Sequence, residues 1–199
     1  LTATPKAPCN APGGSDTPAP IVVLGIGNLL WADEGFGVRC VEALQARYTF
    51  APHVRLVDGG TQGLYLLPQL EAEDAEVPRF LGAKKMSLHQ TGFQEVLALA
   101  QLTGRYPERV LLIGCQPEEL EDYGGSLRPS VKAALEEAVQ RAVQRIAAWG
   151  GDPQPRSAPL ASDEAVTSPE LGLGVYEAGR PAADVACRVG DDRFMPQGA

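Results

Sequence analysis

Three apolar runs, Ile21–Leu24, Val54–Val57 and Val110–Cys115, are each too short to make a helix and alternate with helical patterns. That alternation constrains the chain more than any other feature. Strands that are apolar throughout, or at all but one position as with Arg55 in the second, are buried on both faces, which points to a parallel sheet with helices on either side. The first helical pattern, Gly35–Tyr48, carries Phe36, Val38, Val41 and Leu44 at helical spacing. Gln62–Leu70 can form another helix, and Phe93–Leu102 is helical. Ser130–Trp149 is the clearest, with Val131, Ala134, Leu135, Val139, Val143 and Ile146 on one side. Ser130 is its expected N-cap and Gly150-Gly151 its stop. The expected fold is α/β, a three-layer αβα arrangement around a mostly parallel twisted sheet. The expected division is a flexible leader over 1–20, one α/β domain over 21–150, and a Pro-, Ala- and Ser-rich disordered tail over 151–199.

The first strand runs into a glycine turn and then an acidic pair, IVVLGIGNLLWADEGFG over residues 21–37. In open α/β sheets, ligands bind at the carboxyl ends of strands, where such turns lie. A dinucleotide fingerprint fails, because its third glycine falls on Leu30 and Asp33-Glu34 would repel a pyrophosphate. A P-loop fails because no Gly-Lys-Ser/Thr follows. A carboxylate here suits a cation, yet Asp33 or Glu34 capping the helix fits the same spacing.

The net charge of −8 and a pI of about 4.8 argue against nucleic acid or an anionic membrane as partner. No run of apolar residues is long enough to span a bilayer, and the first twenty residues lack a signal-peptide centre. The four cysteines, Cys9, Cys40, Cys115 and Cys187, are far apart, which fits a reducing cytoplasm rather than a disulfide or zinc framework. Cys40 and Cys115 fall in apolar pattern and are expected in the core.

Taken together, GIGNLLWADEGFGVR, LVDGGTQGLYLL, EVPRFLGAKKMSLHQTGFQEVL and LLIGCQPEELEDYGGSL closely resemble the [NiFe]-hydrogenase maturation endopeptidases, over about Ile21 to Trp149. The resemblance implies an endopeptidase that removes a C-terminal extension from a hydrogenase large-subunit precursor once nickel is in place. It implies a monomer when free and nickel that arrives with the substrate. The family pattern puts metal ligands at Glu34, after the GxGN turn, and at His89, in Ser87-Leu88-His89-Gln90. Its remaining ligand, an Asp at the end of a third apolar strand, has no counterpart in this sequence. By the resemblance about twenty residues are absent between roughly Glu71 and Glu76. An omitted segment, a deletion and a degenerate homologue without activity each account for that gap. Glu73, Asp74 and Glu76 are substitute ligands on a polar run.

Two routes to peptide cleavage stay open. The metal polarises the carbonyl or activates water, or it docks the substrate while a carboxylate acts as general base. Asp58, at a strand end beside Gly59-Gly60-Thr61-Gln62, is the candidate base, and a turn residue bonding its own glycines fits equally. Gly59, Gly60, Thr61 and Gln62 are expected to let an extended substrate approach, with Trp31, Phe36 and Tyr65 as candidates for an apolar groove. The family has been grouped with aspartic peptidases, but no pair of Asp-Ser/Thr-Gly motifs supports a two-carboxylate dyad. No Gly-x-Ser-x-Gly elbow supports a serine triad. His53, in a polar loop, is expected to have no special role. The alternative to an enzyme is a non-catalytic maturation chaperone that binds the same precursor.

Overall fold

A computed structural model describes residues 18–62, 65–66, 88–107, 109–161 and 164–180, without the side chains of 88–92. Strand β1 (Ile21–Ile26) leads through a 3-10 turn (Ala32–Gly35) into helix α1 (Phe36–Arg47). Then come β2 (Tyr48–Thr49), β3 (Val54–Gly60), α2 (Leu88–Leu102), α3 (Pro129–Ala148), β4 (Gln154–Pro155) and α4 (Leu173–Ala178). β1 and β3 pair in parallel, Ile21 opposite Val54 through Gly25 opposite Asp58, with a register shift before Ile26 meets Gly60. β2 and β4 form a separate two-residue antiparallel pair.

The layering follows from the alternation of a strand. Adjacent residues point to opposite faces. Leu24 packs against the buried cluster of Leu66, Val96 and Ala100, so one face meets α2. A Cβ on the next residue, Gly25, would lie 2.8 Å from the Val38 Cα, so the other face meets α1. The approach is close enough that a Cβ on Gly37 would sit 2.3 Å from the Ile26 carbonyl oxygen. Behind α1 lies α3, and Phe36, Leu127, Val131, Leu135 and Ala138 form the core between them. Val38, Val41 and Leu44 of α1 are also buried, each contributing about 1.5–3 kcal/mol relative to exposure. Helices therefore cover both faces of a parallel pair, the expected α/β arrangement.

Several expectations need correction. β3 runs on through Asp58-Gly59-Gly60 instead of ending before them. Arg128 is the N-cap residue of α3 and Pro129 opens the helix, while the Ser130 hydroxyl bonds the Glu118 carboxylate at 2.6 Å. Proline's fixed φ and missing N–H suit the first helical position, which moves the N-cap two residues earlier, from Ser130 to Arg128. Val110–Cys115 is not a strand. Ile113 and Cys115 pack on the α1–α3 core, but Leu111 and Leu112 are exposed and no backbone ladder forms among the described residues. The helix expected over Gln62–Leu70 falls mostly outside the described residues.

The tail is also more ordered than its composition suggests. Residues 151–161 and 164–180 fold back on α1, while 181–199 lie outside the described residues. Arg39, Glu42 and Gln45 recur every third residue on α1 and form the docking stripe. The guanidinium of Arg39, itself buried, donates to the Leu171 carbonyl and to Glu42 (2.7 Å), and stands over the Tyr176 ring. Glu42 accepts from the Leu173 N–H at 2.8 Å, and Gln45 brackets the tail through the Glu164 carbonyl and the Val166 N–H, both at 2.7 Å. These long-range polar contacts leave no hydrophobic period in the sequence, which is why its composition reads as disorder.

Candidate active site

Parallel pairing delivers the ends of β1 and β3 to one edge, and the Gly27 N–H donates to the Gly60 carbonyl at 3.0 Å. Asp58 pairs with Gly25 and so shares its face, toward α1. Its Oδ1 accepts from the Gly60 N–H at 2.9 Å. Burial pushes the Asp58 carboxyl above its ordinary value, opposed by the Gly60 hydrogen bond and by the nearby charge of Arg39. Gly59 is buried and Thr61 and Gln62 are exposed, so the strand passes from core to surface within four residues. The Gln62 N–H closes this turn on the Gly59 carbonyl at 3.1 Å.

Glu34 reaches the same edge through the 3-10 turn. The Asn28 side chain accepts from the Leu30 N–H at 3.0 Å, and the Asn28 carbonyl from the Trp31 N–H at 3.2 Å. Ala32 then takes a left-handed conformation at φ 35°, and the turn folds onto Gly27. Gly27 has φ 146°, and a Cβ there would lie 1.8 Å from the Glu34 carbonyl oxygen. The backbone of Glu34 thus rests against the end of β1, half-buried beside the strand end that carries Asp58.

The acidic pair divides its labour. Asp33 is 4% exposed and accepts three backbone hydrogen bonds. The Glu118 and Glu119 N–H groups donate to Oδ2, each at 2.8 Å, and the Arg128 N–H donates to Oδ1 at 2.7 Å. The Asp33 N–H returns a bond to the Glu119 carbonyl at 3.2 Å. Asp33 therefore caps no helix of its own: it ties the turn bearing Glu34 to the 118–128 loop and the start of α3. Nearby, Trp31 and Tyr123 bridge and stack edge to face at 5.3 Å. The sequence flagged the pair but not the division, because the donors lie more than eighty residues away.

His89 stands in the first turn of α2, and its ring lies outside the described residues. The structure therefore brings Glu34 and Asp58 to one edge and leaves the His89 contact undescribed. Glu73, Asp74 and Glu76 also lie outside the described residues. Phe36 belongs to the core rather than to a groove, whereas Tyr65 is exposed. His53 bonds through its backbone carbonyl to the Ile21 N–H at 2.9 Å. Cys40 and Cys115 are poor nucleophiles: burial, with Cys115 beside it, pushes the Cys40 thiol up to about 12, and burial also raises Cys115.

Comparison with known proteins returns one family. A family model described as hydrogenase maturation protease matches residues 38–75 and 71–145, two stretches that meet at 71–75. The chain is 61% identical to the hydrogenase expression/formation protein HoxM of Cupriavidus necator, over 89% of this chain and 98% of the relative. It is 51% identical to HupD of Rhodobacter capsulatus, over 92% and 96%. It is 36% identical to the hydrogenase 2 maturation protease of Escherichia coli, over 69% and 97%. Among solved structures, the hydrogenase maturating endopeptidase HybD of E. coli superposes with a TM-score of 0.60 at 34% identity, covering 69% of this chain and 98% of that one.

Proposed function

This chain belongs to the hydrogenase maturation protease family, and from that membership we propose that it removes the C-terminal extension of a [NiFe]-hydrogenase large-subunit precursor after nickel insertion. The observation that carries the reading is the shared edge: Asp58 near the end of β3 and the backbone of Glu34 against the end of β1, the two strand ends joined by the Gly27–Gly60 bond. Glu34 and His89 supply one carboxylate and one imidazole, a donor pair suited to nickel. So small a protein set fits a metal that comes bound to substrate thiolates. The precursor's nickel then serves as the recognition element. The cytoplasm is the compartment for this work, and the free enzyme is a monomer.

Asp58 acts as general base in this reading. Its raised pKa makes it a better proton acceptor than an exposed carboxylate, with the Gly60 hydrogen bond and then the Arg39 charge opposing the rise. The Gly60 N–H holds the Oδ1 oxygen, leaving Oδ2 for a water beside the scissile carbonyl. Gly59, Gly60, Thr61 and Gln62 present backbone to an extended peptide. This places the enzyme with peptidases that use an aspartate, without a two-aspartate dyad.

The test is a time course of precursor trimming with and without nickel. Nickel-loaded precursor should be cut and metal-free precursor left intact. Glu34→Gln and His89→Ala should each slow cutting by about a hundredfold or more without loss of helical signal. Trimming of metal-free precursor at the loaded rate would overturn nickel recognition. Asp58→Asn should likewise lose activity, while its stability moves the other way. The folded pKa of Asp58 lies above its ordinary 3.8, so the stability associated with its protonated form is lost as pH rises through the folded value. Asparagine mimics that protonated form. The variant's Tm should therefore gain on the parent's as pH climbs from about 4 toward neutrality, read by melts across that range.

One observation favours the chaperone reading: the alignment with HoxM spans 199 positions but uses 89% of this 199-residue chain, about 177 residues, so about 22 positions have no counterpart here. A chain that bound nickel-loaded precursor stoichiometrically and never trimmed it would establish that role.

A further inference from the structure

Residues 164–180 lie beyond the family match, which ends at 145. The E. coli protease is matched over 97% of its own length by 69% of this chain, so about 62 residues here have no counterpart in it. Yet this added segment reaches both supports of the candidate site. The first support is α1. Arg39 stands in its first turn and is 3% exposed. Its guanidinium donates to the Leu171 carbonyl and to Glu42, and lies 5.5 Å from the centre of the Tyr176 ring. Glu42 is held in turn by the Leu173 N–H. A guanidinium is a planar fork, so fixing its donors and its face together fixes its orientation.

Asp58 looks toward the same turn. It shares the strand face of Gly25, where an added Cβ would meet the Gly37 carbonyl oxygen at 2.7 Å and the Val38 Cα at 2.8 Å. The Arg39 charge is felt there: after the Gly60 hydrogen bond, it draws the Asp58 carboxyl down against the effect of burial. The second support is the 118–128 loop. Glu177 accepts from the Ser126 hydroxyl and pairs with Lys132 of α3. Arg180 lies 3.9 Å from Asp122, which also holds Arg128 at 2.9 Å. The same loop gives the Glu118, Glu119 and Arg128 N–H groups to Asp33, in the turn that carries Glu34. Tail, α1 and loop are thus joined by one series of polar contacts.

We infer that residues 164–180 are a strap that holds Arg39 and the 118–128 loop in place, and that Arg39 is a positioning residue for Asp58 in peptide cleavage. Arg39 acts through Asp58: two of its three partners, Leu171 and Tyr176, belong to the strap, and its charge is directed at the carboxylate. The role in cleavage rests on Asp58 being the general base, whereas the coupling between strap and site does not.

The test uses the full chain. Arg39→Met keeps an unbranched stem and removes the charge. The double variant Tyr176→Leu/Glu177→Gln keeps Arg39 and removes two anchors of the strap. In Arg39→Met, Asp58 followed by carboxyl-carbon NMR should titrate at higher pH than in the parent, because a nearby cation favours the ionised form. Trimming should lose about tenfold or more in kcat with KM unchanged, and Arg39→Lys should recover part of the loss. The double variant should move the Asp58 titration the same way and speed amide exchange in 118–128 about tenfold or more. Its kcat should fall at a temperature where it is fully folded. An unmoved Asp58 titration in Arg39→Met overturns the inference. So does a double variant that melts lower yet keeps the parent's kcat and its exchange in 118–128, since the tail then adds stability alone. If Arg39→Met fails to fold, the double variant decides by the same readings. An Asp58→Asn variant that trims at the parent's rate overturns the base reading, and with it the role of Arg39, while the titration still reports whether the strap acts on the site.

Discussion

Asp33→Ala is expected to destabilise the fold by about 4 kcal/mol, read as a shift in urea midpoint at constant slope. The substitution leaves the apolar core intact, so the loss comes from hydrogen bonds. Three backbone N–H groups, of Glu118, Glu119 and Arg128, lose an ionised acceptor at 2.7–2.8 Å. A bond to a charged group contributes about 1.5–3 kcal/mol, and water recovers part of the loss at the more exposed donors. Asp33→Asn keeps one good acceptor oxygen and should cost about half as much. An alanine variant within 1 kcal/mol of the parent would show that the 118–128 loop holds itself in place. The same experiment separates the two neighbours, since Glu34→Gln should change trimming and move the midpoint far less than Asp33→Ala does.

Gly27→Ala is the second large effect, and it joins stability to function. A methyl group there would stand 1.8 Å from the Glu34 carbonyl oxygen and 3.0 Å from its carbonyl carbon, both backbone atoms that no rotamer can move aside. The φ of 146° adds strain for any residue with a Cβ. Either the 3-10 turn lifts away, taking the Glu34 carboxylate with it, or the Gly27–Gly60 bond breaks. A loss of about 3 kcal/mol or more is expected, together with loss of trimming even where the variant stays folded. Thermal melts beside a trimming assay check both. Full activity in a folded Gly27→Ala variant would mean that Glu34 need not rest against the end of β1.

The glycine at 27 was legible because a strand running into Gly-x-Gly-Asn leaves little room for any other local structure. The first helix was legible from its period: Phe36, Val38, Val41 and Leu44 recur at the spacing of a helix, and they are buried where that spacing puts them. Val110–Cys115 shows the limit of such reading. Its apolar run satisfies the local pattern, but a strand is defined by a neighbour, and the described residues give it none. The tail shows the opposite error. Its composition is that of a linker, yet Arg39, Glu42 and Gln45 supply partners more than a hundred residues away for its backbone groups.

What the amino-acid order settled by itself was class and place: short apolar strands between amphipathic helices require a covered parallel sheet, and the residues after the first strands fall at its carboxyl edge. Those are properties of local periodicity and chain direction. Only the tertiary structure decided that Asp33 is a structural clamp while Glu34 stays at the edge, and that Asp58 faces α1 with Arg39 near it. Adjacent acidic residues are alike in sequence. Their roles diverge only when the fold brings three distant N–H groups to the Asp33 carboxylate and sets the Glu34 backbone against the end of β1.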